Sequence, residues 1–417
     1  MCAADMKTED RLARTAADGF AGWAGLIVPT VLCRLVINTA RRFAYTFAPV
    51  LSRGLGVPLT SVTSLVALNQ ATSLVGVFFG PLADRFGYRL MMLAGLGFLV
   101  AGMFAGGLWP CYGIVAVSLF LAGLGKTIFD PALQGYVGRR VPFHRRGLVI
   151  GLLEMAWAGS TLIGIPLIGL VIEAFDWRTP FFILGGAGLI GLVVLSRLLP
   201  RSGPGLEALP ARGRFRTNWR LLGTERAALG ALGFGFLVSV ANDNLFVVYG
   251  AWLEDSFSLS VAALGAGTGA IGAAELTGEF LTAMLADRLG LVRSVFVGLV
   301  LVTAAYLALP LWTGSLALAL SGLFLVFLAF EFTIVTFLSL CTELLPEARA
   351  TMISSFLAAG GLGRVVGDLT GGLVWIAGGI TAVAVVSAAL NFLALVTLAW
   401  GLAGWRRKET ISRGPEA

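Results

Sequence analysis

The chain has 417 residues; 57% are hydrophobic, only 13% are charged, and the formal net charge is +7 at pH 7. Ordinary soluble domains carry about 25% charged residues, so this composition excludes a water-dispersed globule and makes the bilayer the solvent. A single histidine, His144, and four scattered cysteines (Cys2, Cys33, Cys111, Cys341) argue against a His-based metal site, a catalytic triad and a disulfide framework.

Apolar runs of roughly 18–25 residues are long enough to cross a bilayer. In chain order they are 24–50, 61–82, 90–108, 112–136, 147–171, 179–197, 228–252, 263–286, 294–312, 315–341, 351–377 and 380–404. The region before them, with Lys7, Arg11 and Arg14, lacks the early apolar core of a signal peptide. Links between runs are short except 198–227, which is polar and rich in Pro, Gly and Arg. The predicted organisation is therefore an N-tail (1–23), a first bundle (24–197), a basic linker (198–227), a second bundle (228–404) and a C-tail (405–417).

The basic residues orient these runs. If the N-terminus is cytoplasmic, 23 of the 30 Lys and Arg fall in the cytoplasmic tails, loops and linker, with Arg197 at the edge of the sixth run counted with the linker, and the outer loops hold only Arg53 and Arg178. That bias is a positive-inside signal, placing both termini in the cytoplasm. It also reads the linker arginines Arg212, Arg214, Arg216 and Arg220 as topology signals beside anionic lipid, with no nucleic acid as partner.

The chain is internally duplicated. Leu82-Ala83-Asp84-Arg85-Phe86-Gly87 returns as Leu285-Ala286-Asp287-Arg288-Leu289-Gly290, an offset of 203. Pro142-Phe143-His144-Arg145 and Pro346-Glu347-Ala348-Arg349 repeat at 204. Two anchors at nearly one offset indicate two six-span halves in parallel topology.

Gly80-Pro81-Leu82-Ala83-Asp84-Arg85-Phe86-Gly87-Tyr88-Arg89 resembles the signature loop between spans 2 and 3 of the major facilitator superfamily, and the resemblance covers nearly the whole chain. The copy at 283–293 is looser. Where many drug/proton antiporters of that family carry an arginine before the G-x-G of span 4, this chain has Leu119, and Lys126 follows Gly123-Leu124-Gly125. The resemblance implies an all-α membrane protein of twelve transmembrane helices in two pseudo-symmetric six-helix bundles. It also implies a gate built on Gly80, Asp84, Arg85, Gly87, Arg89, Asp287 and Arg288.

Leaving aside Arg197 at the edge of the sixth run, twelve ionisable residues fall within the runs: Arg34, Arg41, Arg42, Lys126, Asp130, Glu154, Asp243, Glu275, Glu279, Glu331, Arg364 and Asp368. Each costs roughly 2.5–3.5 kcal/mol at mid-bilayer, so they cannot all face lipid. Spans 3, 6, 9 and 12 hold none, apart from Arg197 at the very edge of span 6, and in the resembled fold those are the peripheral helices. The charges thus point to a polar cavity at the interface of the halves, lined by Arg34, Asn38, Arg41, Lys126, Glu154, Asp243, Glu275, Glu331 and Arg364.

Arg34, Asn38 and either Arg41 or Arg42 share a helical face. Two readings stand for it: attraction of an anionic solute group, or permanent pairing with acids of spans 5, 7 or 8. Arg42, next to Arg41, is expected to snorkel outward. Glu275 and Glu279 are one turn apart, and their repulsion favours a bound proton on one of them. Arg364 and Asp368 are spaced to pair within span 11, and Asp130 is assigned to the cytoplasmic charge network.

No nucleophile–base constellation and no G-x-x-x-x-G-K-[ST] loop occur, so neither an enzyme nor an ATP-driven pump is expected, and no cofactor. The reading is a monomeric, proton-coupled secondary transporter of the inner (plasma) membrane that exports a small organic solute by alternating access, with protons, solute and lipid as its partners. Uptake of an organic anion is the alternative; a lipid flippase and a non-transporting sensor are the rivals of another class.

Overall fold

The computed structural model describes residues 27–140, 153, 155–199, 222–345 and 349–405. All regular structure among them is helical. The first part comprises α1 (27–46), α2 (Ala48–Leu55), α3 (Leu59–Ala71), α4 (Gly76–Phe86), α5 (Tyr88–Leu108), α6 (Tyr112–Arg140), α7 (Met155–Ala174) and α8 (Thr179–Leu198). The second part comprises α9 (Arg226–Phe246), α10 (Tyr249–Phe257), α11 (Val261–Gly267), α12 (Gly269–Leu289), α13 (Leu291–Ala308), α14 (Leu316–Leu344) and α15 (Arg349–Leu402).

Eight helices among the described residues are long and apolar enough to cross a membrane, or nine if the bent pair at Ala48–Leu55 and Leu59–Val75 is one span. The longest, α15, breaks at Gly378 and Gly379, where the backbone leaves helical angles. Neither α1, which carries Arg34, Arg41 and Arg42, nor α12, which carries Glu275 and Glu279, is among the eight. The run expected as one span over 61–82 is built from α3, a 3₁₀ turn at Thr72–Val75 and α4.

Local chemistry sets several boundaries. Pro180 occupies the first turn of α8, where its missing N–H costs nothing. Ser315 caps α14, its hydroxyl accepting from the Leu318 N–H at 3.3 Å. Gly87 and Gly290 stand immediately before α5 and α13 with φ of 91° and 85°, a region that favours glycine. The repeated loop therefore carries the same backbone conformation in both copies. The second repeat anchor, 142–145 with 346–349, lies outside the described residues apart from Arg349.

Contacts divide the chain into two compact units. The first comprises Met1–Gly56, Phe78–Ala208 and Val261–Gly272; the second comprises Val57–Val77, Leu209–Ser260 and Ala273–Ala417. Neither coincides with a contiguous half, because the first unit takes in Val261–Gly272 and the second takes in Val57–Val77. In the first unit, Val261–Gly272 lies on α7: Gly169 and Gly265 face each other so closely that a β-carbon on Gly265 would stand 3.2 Å from the Gly169 Cα. Small residues at such crossings let backbones approach. Glu173 adds an end contact, its Oε2 accepting from the Ala262 N–H at 2.6 Å.

In the second unit, α3 lies on α15, where Gly372 faces the side chain of Thr63 and Gly361 that of Ser73. The same unit ties α9 to its neighbours through one carbonyl: Ala241 O accepts from the Tyr306 hydroxyl at 3.3 Å and the Ser387 hydroxyl at 2.8 Å. Large aromatic side chains fill this core, with Trp252, Tyr249, Tyr306, Phe234 and Phe337 almost wholly buried.

Candidate functional site

Charge inside an apolar bundle must be partnered. In the first unit the partners come from α1, α6 and α7. Lys126 of α6 donates to Asp130 Oδ2 at 2.6 Å, one helical turn along, and to Asn38 Oδ1 of α1 at 2.6 Å. The Asn38 amide in turn donates to the Ala156 carbonyl of α7 at 3.2 Å, which fixes which side of the amide faces the lysine. Arg34, one turn before Asn38, places its Nε 3.3 Å from Asp130 Oδ1. Asp130 thus faces two bases, and Pro131 interrupts the backbone ladder of α6 directly after it.

Arg42 meets α7 instead. Its guanidinium donates to the Thr161 hydroxyl and stacks 3.7 Å from the centroid of the Trp157 ring. The Lys126 Nζ lies 5.1 Å from the same ring. One indole therefore serves two cations. Thr161 sits in a π-helical turn, Ser160–Gly164, a helix irregularity frequent at functional sites. Arg34, Arg41, Arg42 and Lys126 are all buried, and Arg41 is in electrostatic range of Lys126 and Asp130.

The second unit buries acids. Asp243 of α9, Glu275 of α12, Glu331 of α14 and Asp368 of α15 are each more than nine-tenths buried. Gly278, less than one turn from Glu275, packs directly on the β-carbon of Glu331, which brings the two glutamate-bearing helices together at that level. Gly367 packs in the same manner against the β-carbon of Asp243, beside Asp368. Asn244, next to Asp243, accepts from the Thr370 hydroxyl at 2.9 Å.

Most expected cavity residues fall in these two clusters: Arg34, Asn38, Arg41 and Lys126 in the first, Asp243, Glu275 and Glu331 in the second. Glu154 lies outside the described residues. Arg364 is half-buried, and Asp368, one turn on, is buried. Two expectations are corrected. Asp130 joins Arg34 and Lys126 in place of a cytoplasmic network; its four-residue spacing from Lys126 was the available signal. Arg42 is buried against Trp157 and Thr161 and does not snorkel outward.

In the loop motif, Arg89 donates to the Ser196 carbonyl at the end of α8 at 2.6 Å, tying the loop to that helix. Arg288 is exposed. The side chains of Asp84, Arg85 and Asp287 lie outside the described residues, and so does the setting of Gly80.

The family model described as "Major Facilitator Superfamily" matches residues 30–367. The MFS-type transporter YceJ of Bacillus subtilis (strain 168) is 27% identical over 314 residues, 75% of this chain and 79% of that protein. YwfA of the same organism, also described as an MFS-type transporter, is 26% identical over 352 residues, 81% and 83% of the two chains. The multidrug resistance protein MdtH of Enterobacter sp. (strain 638) is 35% identical over 104 residues, a quarter of this chain. Among solved structures, a D-xylose-proton symporter superposes with a TM-score of 0.74 at 17% identity, covering 90% of this chain and 96% of the other. A bacterial homologue of the human lysosomal transporter Spinster gives 0.72 at 17%, covering 90% and 95%. At that identity these likenesses speak to the fold.

Proposed function

Because the chain belongs to the Major Facilitator Superfamily, we propose that it is a proton-coupled secondary transporter that exports a small organic solute bearing an anionic group. The observation that carries this reading is the segregation of buried charge. The first unit buries Arg34, Arg41, Arg42 and Lys126 around Asp130, whereas the second buries Asp243, Glu275, Glu331 and Asp368. A basic cluster with an indole and an amide beside it suits a carboxylate or similar anion on a flat organic body. Acids held out of water in the other unit suit reversible protonation, the requirement for coupling to a proton gradient.

Alternating access, twelve spans and cytoplasmic termini belong to the same proposal. The last is supported by the 23 of 30 basic residues that fall on one side of the predicted spans. The export direction is supported by the partial similarity to a multidrug resistance protein. An uptake carrier for an organic anion would use the same basic cluster, so direction is an outcome of the test below.

The full chain, purified and reconstituted into vesicles, is offered size-matched pairs of organic acids and their amides under an imposed pH gradient. Gradient-driven flux of acids, with the amides excluded, is expected, and Lys126→Ala should lower it by at least about ten-fold, since loss of one charge-assisted contact costs about 1.5–3 kcal/mol. Amides moving as fast as acids would overturn the anionic site. Flux indifferent to the pH gradient would overturn the coupling, and binding without flux would identify a sensor.

A further inference from the structure

At one end of the second unit, a cavity of about 370 Å³ is lined by Leu289, Gly290, Leu291 and Val292, with Arg293, Leu340, Glu343 and Trp405 completing it. It is built where α12 ends, where Gly290, with a positive φ, turns the chain into α13, and where the end of α14 and Trp405, three residues beyond α15, meet that turn. We propose that this cavity holds an anionic phospholipid, with its phosphate at Arg293 and its glycerol and upper acyl carbons against Leu289, Leu291, Leu340 and Trp405.

The wall is almost entirely apolar, and Leu289 is 47% exposed, an apolar surface that a lipid would cover. Arg293 is exposed and makes no hydrogen bond or ion pair among the described residues, so its charge is available to a ligand. Glu343, the one acid on the wall, is half-buried and already has an interaction partner. The cavity lies beside the α12–α13 turn, whose flanks carry Arg288 and Arg293. Trp405 follows the last apolar run, where an indole suits a membrane interface, and the next residues in sequence are Arg406, Arg407 and Lys408. Basic residues bordering the ends of membrane helices attract anionic lipid. A soluble anion would gain little from the apolar wall, and an apolar ligand without charge would leave Arg293 unused. A phospholipid with net negative charge uses both.

The test is a thermal-shift titration of the full chain in detergent with short-chain phosphatidylglycerol, phosphatidylcholine or glycerol 3-phosphate, since a ligand of the folded form raises its melting temperature. Phosphatidylglycerol should half-saturate at a concentration about five-fold or more below phosphatidylcholine, with no shift from glycerol 3-phosphate. Arg293→Ala should remove that preference, and Leu289→Glu should weaken both lipids by placing charge on the apolar wall. Arg197→Ala, which removes an exposed arginine in the last turn of α8 in the other unit, should leave it intact. The proposal is overturned if Arg197→Ala matches Arg293→Ala, since the effect is then general surface charge. It is equally overturned if glycerol 3-phosphate acts as strongly as the lipid. It also fails if removing residues 406–417 abolishes the preference while Arg293 remains, because the tail is then the lipid site.

Discussion

The ammonium of Lys126 is shared between the Asp130 carboxylate and the Asn38 amide oxygen, each at 2.6 Å, while Arg34 approaches Asp130 from the other side. Removing the one acid that faces two buried bases leaves charge without compensation. Loss of one partner from a buried pair costs about 3–5 kcal/mol, and the lower end applies because Asp130 keeps 20% of its side chain exposed. Asp130→Ala should therefore lower the melting temperature of the detergent-purified chain clearly. Lys126→Met in the same chain should recover part of the loss, since one orphaned cation is then gone. A double-mutant cycle measures this directly, and additive losses would sink the idea that the two side chains act as a pair. The i, i+4 spacing of this pair was legible in the sequence. The convergence of Arg34 on it was not, because the sequence does not say which face of α6 meets α1. Arg42 was misread for a different reason: neighbouring helical positions point about 100° apart, and the surface that receives its guanidinium comes from a helix 119 residues away in sequence.

At the scale of elements, the most informative feature is the short segment Val261–Gly272, which packs on α7 within the first unit. Its hold has two parts. Gly169 and Gly265 allow near backbone contact, with Phe47 touching both, and the Glu173 carboxylate accepts the Ala262 N–H at the start of α11. An anion at a helix start is worth about 0.3–1 kcal/mol when exposed, so the glycine crossing dominates. Gly265→Leu would force a side chain into the Gly169 backbone, and overpacking of this kind costs about 1–3 kcal/mol. The segment should then open more often. A cysteine at the buried position Leu264, in a chain cleared of its own cysteines, should be labelled by a membrane-impermeant maleimide about ten-fold faster in the Gly265→Leu background. Unchanged labelling would mean that the crossing does not hold the segment. Glu173→Gln should move the rate far less. None of this exchange of segments was legible from the sequence, which reported the helices and their small residues but not which helix each glycine would meet. The loop glycines were legible: Gly87 and Gly290, matched by the repeat, adopt the same left-handed conformation.

Across the whole molecule, the two halves of the sequence carry unequal chemistry. The membrane charges of the first half are Arg34, Arg41, Arg42 and Lys126 against Asp130 and Glu154; those of the second are Asp243, Glu275, Glu279, Glu331 and Asp368 against Arg364. Composition pointed to the membrane, and the repeated loop pointed to a duplication. This division of labour was visible only once the charges were counted by half, and the structure adds that most of them are buried. If the basic half binds the solute and the acidic half binds the proton, the two functions should separate under substitution. Glu275→Gln and Glu331→Gln remove ionisable groups while keeping the shape of the side chain, so solute should still bind and exchange. In reconstituted vesicles each variant is expected to retain counterflow, the exchange of labelled for unlabelled solute at uniform pH. Accumulation driven by a pH gradient should fall by about ten-fold or more, because a transporter that cannot bind the proton cannot use its gradient. Lys126→Ala should do the opposite and impair both assays together, because solute binding is common to them. Equal loss of exchange and accumulation in the glutamine variants would assign those carboxylates to the architecture of the second unit, whereas loss of accumulation alone identifies the residue that carries the proton.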